Sequence, residues 1–251
     1  MGRMRKDGAR RTGFTAVACG VLAVFLSACG GSEGGNGAVK GHGGAGAKGE
    51  NAPARAVDLT RIPEVGNRLQ ARIPSNAHQV VAVYGEGRDS ADSTVVLYAK
   101  SGSTWEVRRS WQAHNGTKGW TTDHHEGDKR SPVGVFSLTD AGGVLDDPGA
   151  LLPYDHSAAY QAPRDWARSH WHDFDYVVAI NYNRRVGTPP DDPDRPLGQS
   201  KGGSIWLHMD HGSGTSACVS VPKPAMEYLL RTLDPRQHPV IVMGDKADLK
   251  V

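Results

Sequence analysis

Short runs of β-branched and aromatic residues, each bounded by Gly, Ser or Asp, limit most strongly what this chain can fold into. Runs of this length and composition are typical of antiparallel strands separated by tight turns. The predicted strands are 79–84 (QVVAVY), 94–99 (TVVLYA), 105–111 (WEVRRSW), PVGVFSL around Phe136, DYVVAINY around Ile180 and the closing HPVIVMG, with a tight turn at Asn115-Gly116. The pattern therefore predicts a mainly β domain.

One segment has helical rather than strand periodicity. Residues 224–235 (PAMEYLLRTLDP) place Met226, Leu229, Leu230 and Leu233 at helical spacing, with a proline at each end. We predict one amphipathic helix that packs on the sheet. Residues 141–173 have no clean periodicity, and a long irregular segment within a compact domain is usually functional or a lid.

The first 57 residues differ in composition from the rest. Residues 1–28 combine basic residues, an apolar run and small residues before Cys29, which is typical of a bacterial export signal with a lipobox. An ordinary signal peptide with a chance cysteine is the alternative. The ten glycines within residues 30–56 predict a flexible tether at 29–57, and the composition of residues 58–251 predicts one globular domain. We expect an exported protein anchored by lipid on Cys29 at the outer face of the cell membrane.

Charge and cysteine content narrow the possible partners and chemistry. Residues 1–28 hold five of the 29 basic and one of the 27 acidic residues, so residues 29–251 carry a net charge of −2. We therefore expect neither nucleic acid nor a polybasic membrane contact. If Cys19 leaves with the signal and Cys29 carries lipid, Cys218 is the one thiol of the globular part. It is then either a reactive thiol or a small buried hydrophobe.

The stretch 208–220 (HMDHGSGTSACVS) places a histidine near this thiol. Alternation along 204–210 puts Ile205, Leu207 and Met209 on one face, and Val219 and Val221 alternate with Cys218 in the same way. Packing of the apolar residues in the core leaves His208 and Cys218 on the opposite face. If the two strands pair through the turn between them, the imidazole and the thiol lie close enough to exchange a proton. A histidine base beside a thiol, with a glycine-containing turn that aims N–H groups at an oxyanion, favours acyl transfer.

Two segments carry a family resemblance. The run IWLHMDHGSGTSACVSV resembles the active-site signature of the L,D-transpeptidase (YkuD-like) catalytic domain, and residues 125–141 (HEGDKRSPVGVFSLTDA) resemble a second segment of that family. The similarity covers most of residues 75–245. It implies a mainly β fold with one or two helices, in which a β-sandwich or barrel-like mixed sheet carries the site. It also implies attack on peptidoglycan stem peptides after the third residue, through a thioester that is passed to a second stem's amine.

The resemblance also implies roles for individual residues. Cys218 would be the nucleophile, His208 its base and Thr215 the hydroxyl of the turn. The N–H of Cys218 and its neighbours Ser216 and Ala217 would form the oxyanion hole. Apart from the resemblance, Asp210 and His211 are candidates for shaping the mouth of the site, and the alternative for His211 is a plain solvated histidine. The chain departs from the family pattern at Ala217, where the family has glycine, and at Ser220, where many members have arginine.

Three other functions remain open from the sequence. Water could take the acyl group, which would make the protein an L,D-carboxypeptidase, or the domain could bind the wall without catalysis. A zinc peptidase could use His208, Asp210 and His211 with His124 or His125, although the chain has no HExxH framework. We predict no metal and no cofactor.

Two histidines and two tryptophans outside the signature have alternative positions. We predict that His124 and His125 lie on a loop surface. Trp166 and Trp171 line either a cleft or the core.

Overall fold

The computed structural model describes residues 58–251, and the predictions of a signal at 1–28, lipidation at Cys29 and a tether at 29–57 lie outside this range. The described part contains eleven strands and three α-helices. The strands are β1 (Gln79–Gly85), β2 (Asp92–Ser101), β3 (Thr104–His114), β4 (Trp120–Thr121), β5 (Ser131–Pro132), β6 (Gly134–Gly143), β7 (Tyr154–His156), β8 (Val177–Ile180), β9 (Trp206–Met209), β10 (Val219–Val221) and β11 (Val240–Asp245). The helices are α1 (Asn67–Gln70), α2 (Lys223–Thr232) and α3 (Lys246–Leu249).

Nine of the strands form one mixed sheet in the order β11-β1-β2-β3-β10-β9-β8-β6-β7. Strand β11 also pairs with β6, so the sheet closes into a barrel-like structure, while β4 and β5 form a separate two-stranded sheet. The predicted mainly β fold with a mixed, barrel-like sheet is confirmed. The structure has three α-helices rather than one or two. The additional helices, α1 and α3, span four residues each, which is too short to leave a periodic pattern in the sequence.

Helix α2 covers the main core of the sheet. The residues predicted to form its apolar face, Met226, Leu229, Leu230 and Leu233, are all fully buried, which confirms the predicted packing. A second apolar cluster, which includes residues of β1, β2 and β11, packs with Leu69 of α1 and Leu249 of α3. Within residues 58–251 no helix combines the length and apolar character needed to span a membrane.

Strands β9 and β10 pair in parallel, and this corrects the expected pairing through a turn. Leu207 lies opposite Val219, His208 opposite Ser220, and Met209 opposite Val221. The chain between the strands does not fold straight back, because Thr215 forms an isolated bridge with Gly116, beyond the end of β3. The segment after β9 therefore leaves the sheet to contact the chain around Gly116. It then returns, so that the first residue of β10 lies beside the first half of β9.

The predicted turn at Asn115-Gly116 lies slightly later in the chain. The N–H of Gly119 donates to the carbonyl of Gly116 at 2.7 Å, and Asn115 is fully buried in front of this turn. The irregular segment 141–173 contains the end of β6, β7 and two short 3₁₀ turns, at Ala158–Tyr160 and Arg168–His170. These turns place its last residues beside β9.

Candidate active site

The two faces of the β9–β10 pair separate as the alternation predicted. Leu207, Val219 and Val221 belong to the main core, whereas Cys218 packs against a smaller cluster that contains Trp206 on the opposite face. His208 lies two residues beyond Trp206 on the same face as Cys218, so the two side chains are diagonal neighbours on adjacent strands. Both line one cavity of about 400 Å³. The structure therefore places the thiol and the imidazole in the wall of one cavity, although by parallel rather than antiparallel pairing.

The Cys218 thiol is held by backbone groups of Ser204, which precedes β9, and Trp206, which begins it. Its Sγ donates to the Ser204 carbonyl at 3.5 Å and accepts from the Trp206 N–H at 3.4 Å. Burial raises the pKa of the thiol to about 11, and the Trp206 N–H opposes this only in part. Because a thiolate, not a thiol, is the nucleophile, Cys218 is in its unreactive neutral form near pH 7.

His208 is buried, with a fixed ring orientation. Its Nδ1 lies 2.8 Å from the Met209 carbonyl, which can only accept, so Nδ1 carries the hydrogen. Burial lowers the pKa of His208, which keeps the ring neutral and leaves Nε2 without a proton. The ring of Phe174 packs edge-on at 5.3 Å between centroids. A neutral imidazole with a free Nε2 is the form that can accept a proton.

The turn before β10 is fastened through its carbonyl groups. The Thr215 hydroxyl donates to the Cys218 carbonyl at 2.7 Å, and the Ser131 hydroxyl donates to the Ala217 carbonyl at 2.7 Å. Ser131 also accepts from the Gly116 N–H at 2.9 Å. Across residues 58–251, the N–H groups of Ser216, Ala217 and Cys218 make no hydrogen bond. Side-chain hydroxyls thus hold the carbonyls of Ala217 and Cys218, while three successive N–H groups have no hydrogen-bond partner in the described part of the chain.

Comparison with known proteins identifies the family of this domain. Residues 80–242 match the family model described as "YkuD: L,D-transpeptidase catalytic domain", which is more than half of the chain. The chain belongs to this family. No curated protein gives a match.

Two solved structures are similar to the chain at low sequence identity. One is Bd1075 from Bdellovibrio bacteriovorus, at 17% identity and a TM-score of 0.37, where the match covers 66% of this chain and 47% of that one. The other is the helical cell shape determining protein Pgp2 from Campylobacter jejuni, at 16% identity and a TM-score of 0.37, where the match covers 66% of this chain and 48% of that one. The match thus spans about half the length of these two proteins.

The two departures from the L,D-transpeptidase pattern are accommodated without strain. Ala217 is not among the described residues with positive φ, so this position does not require glycine. Its side chain is buried in the main core. Ser220 is fully buried and donates to Asp210 Oδ1 at 2.7 Å, so the residue at this position does not face the cavity.

The two candidates for shaping the site have different surroundings. Asp210 accepts from Ser220, from the Gly212 N–H at 3.0 Å and, when its Nδ1 is protonated, from His114 at 2.7 Å. Burial opposes ionisation of Asp210, but the Ser220 and His114 contacts hold its pKa below the usual range. Asp210 therefore braces the end of β9, whereas His211 lines the large cavity with Cys218.

Of the residues that the sequence offered as zinc ligands, only His211 belongs to a cluster of potential metal ligands in the described residues. Among the described residues, the side chains close enough to share a metal ion are His170, Asp173 and His211. His124 was also wrongly predicted to lie on the surface. It is 5% exposed, packs on Tyr182 and lines a second cavity of about 180 Å³ that also reaches Cys218.

Some residues of the site were not identified from the sequence. Ser131 lies in the second family segment, but the sequence did not indicate a role for it. Asp173 and Phe174 belong to HWHDFD, in which two histidines are each followed three residues later by an aspartate. That repeated spacing could have indicated that the segment is part of the site. Trp166 lines the large cavity beside His170. Of the two positions predicted for Trp166, cleft or core, the structure shows the cleft.

Proposed function

We propose that this domain is a peptidoglycan L,D-transpeptidase in which Cys218 is the nucleophile and His208 its base. The observation that carries the proposal is the position of both side chains on one face of β9 and β10, in one cavity, with His208 Nδ1 bonded to the Met209 carbonyl. That bond fixes the tautomer, because the hydrogen on Nδ1 leaves Nε2 free to accept the thiol proton. Membership of the family supports a peptidoglycan substrate.

The resting state requires that proton transfer accompany substrate attack. The neutral thiol and neutral imidazole are both favoured by burial, so a thiolate–imidazolium pair does not form in advance. When a stem peptide is bound, Sγ attacks the carbonyl of its third residue as the thiol proton moves to His208. The imidazolium then protonates the leaving amine of the fourth residue, and a thioester remains on Cys218. The amine of a second stem attacks this thioester, releases the thiol and forms the 3-to-3 crosslink.

The turn before β10 supplies the groups that stabilise the intermediate. The N–H groups of Ser216, Ala217 and Cys218 are free, and the neighbouring carbonyls are held by Ser131 and Thr215. Preorganised donors of this kind stabilise an oxyanion without a reorganisation cost at the moment of reaction. Removal of one such donor typically slows a reaction by about 10² to 10³.

The proposal is tested by incubating the full chain with a tetrapeptide stem and analysing the products by mass spectrometry. We expect a 3-to-3 crosslinked dimer and release of the fourth residue from wild type, and neither product from Cys218→Ala. Free tripeptide without a dimer would show that water, not a second stem, takes the acyl group, and the protein would then be a carboxypeptidase that uses the same thioester. Turnover that survives Cys218→Ala would refute both.

We also propose that the protein is exported and held at the outer face of the cell membrane by lipid on Cys29. The support is the sequence of residues 1–29, in which an apolar run and Leu-Ser-Ala precede the cysteine. Metabolic labelling with a fatty-acid analogue should label wild type and leave Cys29→Ala unlabelled. Equal labelling of the two would contradict the anchor.

A further inference from the structure

Three side chains converge on the wall of the large cavity without a part in the proposed chemistry. His170 and Asp173 come from the turn before β8, and His211 follows β9. Asp173 Oδ2 lies 2.9 Å from His170 Nδ1 and 3.1 Å from His211 Nδ1, and the ring centroids of the two histidines are 4.1 Å apart. One ligand atom from each of the three residues lies within 4.8 Å of the others.

His211 is the member of this cluster whose hydrogen bonding is incomplete. Its side chain is 4% exposed, yet neither ring nitrogen has a hydrogen-bond partner within the part of the chain that the structure describes. The approach of Nδ1 to Asp173 has the distance of an ion pair but not the direction of a hydrogen bond. Buried polar atoms without partners are rare, because leaving them unpaired costs about 1–3 kcal/mol each. In the neutral imidazole one of these two nitrogens carries a lone pair, which is the group that binds a cation.

We propose that His170, Asp173 and His211 form a binding site for a divalent transition metal ion of the zinc class. Two imidazole nitrogens and one carboxylate oxygen are a common ligand set for such ions. Tetrahedral coordination at bond lengths near 2.1 Å separates ligand atoms by about 3.4 Å, so small side-chain rotations from the observed distances suffice. Three protein ligands leave a fourth position for water or for a carboxylate that enters the cavity. The proposal does not depend on the chemistry of Cys218.

A second histidine–aspartate pair in the same segment provides a matched control. His172 Nδ1 lies 2.9 Å from Asp175 Oδ2, which repeats the spacing and the distance of His170 and Asp173. This pair is not among the groups of three potential ligands found within residues 58–251, and the His172 side chain is 73% exposed. Loss of His172 removes one histidine and its contact with Asp175 without removing a proposed ligand.

The test is zinc binding to the full chain after treatment with a chelator. Titration in competition with a chromophoric chelator should show one more tightly bound zinc per wild-type chain than per chain of His211→Gln, His170→Gln or Asp173→Asn. We expect each of these variants to lose at least about tenfold in affinity, since even partners outside the first coordination sphere cost 10- to 100-fold. His172→Gln should bind as wild type does. Cobalt in place of zinc should give the visible absorption of a tetrahedral site in wild type and not in His211→Gln.

Two results would overturn the proposal. Wild type that binds zinc no more tightly than His211→Gln would show that the cluster is a hydrogen-bonded brace only. An equal loss of affinity in His172→Gln and His170→Gln would assign the binding to surface histidines. Thermal unfolding of each variant without metal verifies that it is folded before titration.

Discussion

The two faces of the β9–β10 pair share one backbone, but one face is apolar and packs in the core while the other is polar and lines a cavity. One face presents Leu207, Val219 and Val221, all fully buried in the main core. The other presents His208 and Cys218, each held by a backbone group and open to a cavity. Because successive side chains of a strand alternate, adjacent residues can serve stability and chemistry separately. Substitutions on one face should therefore change activity, and substitutions on the other should change the free energy of unfolding.

The largest expected effect follows removal of the thiol. Cys218→Ala should slow crosslinking by on the order of 10⁶, the magnitude measured for loss of a nucleophile that acts as a unit with its base. Its unfolding midpoint in urea should stay near that of wild type, because Cys218 is only partly buried and lies off the main core. If Cys218→Ala were much less stable than wild type and still formed crosslinks, the two faces would not have these separate roles.

Loss of the base should be the next largest effect on rate. His208→Gln keeps a side chain of similar size but removes proton acceptance at Nε2, and we expect acylation to slow by about 10² to 10⁴. Single-turnover kinetics with a stem peptide measures this step. An acylation rate within threefold of wild type would remove His208 from the mechanism.

The core face gives the converse result. Leu207→Ala deletes a fully buried side chain one residue from His208, and we expect the free energy of unfolding to fall by about 2–5 kcal/mol. The folded fraction should still form the acyl-enzyme. Chemical denaturation gives the first quantity, and acylation at a temperature well below the midpoint gives the second. A variant of normal stability would contradict the core assignment.

Ser131 joins the two faces through the turn, so its loss should affect both properties moderately. Ser131→Ala leaves the Ala217 carbonyl and the Gly116 N–H without their partner, which costs about 1–3 kcal/mol of stability. The rate should fall as well, because the N–H groups of the turn are less firmly held. Thr139→Ala, a substitution at a partly buried hydroxyl on β6, is a control that should leave the rate unchanged.

The smallest expected difference between a variant and wild type is in how the reactivity of the resting Cys218 thiol depends on pH. Since burial raises the pKa of Cys218 to about 11, the thiolate fraction should rise about tenfold per pH unit between pH 7 and 10. Alkylation of Cys218 by iodoacetamide, followed by peptide mass spectrometry, should therefore rise over this range without a plateau. His208→Gln should give the same profile, because His208 is neutral in the resting protein. A plateau below pH 8 in wild type only would indicate a preformed thiolate–imidazolium pair.

Alternation and helical spacing were sufficient to predict the face of each residue in β9 and β10 and the buried side of α2. The direction of strand pairing was not predictable from local sequence, because Thr215 bonds to the chain around Gly116, almost a hundred residues earlier. The burial of His124 likewise depends on a distant ring, that of Tyr182. His170 and Asp173 are neighbours in sequence, but their meeting with His211 depends on the packing of the turn before β8 against the end of β9.

The central claim, that Cys218 carries the acyl group, is tested most directly by mapping the covalent adduct. The full chain is mixed with a tetrapeptide stem, quenched in acid and digested for peptide mass spectrometry. The account predicts a tripeptide adduct on the peptide that contains Cys218, with one fourth-residue amino acid released per adduct, and no adduct in Cys218→Ala. Release of the fourth residue at the wild-type rate by Cys218→Ala, or an adduct on another residue, would contradict it.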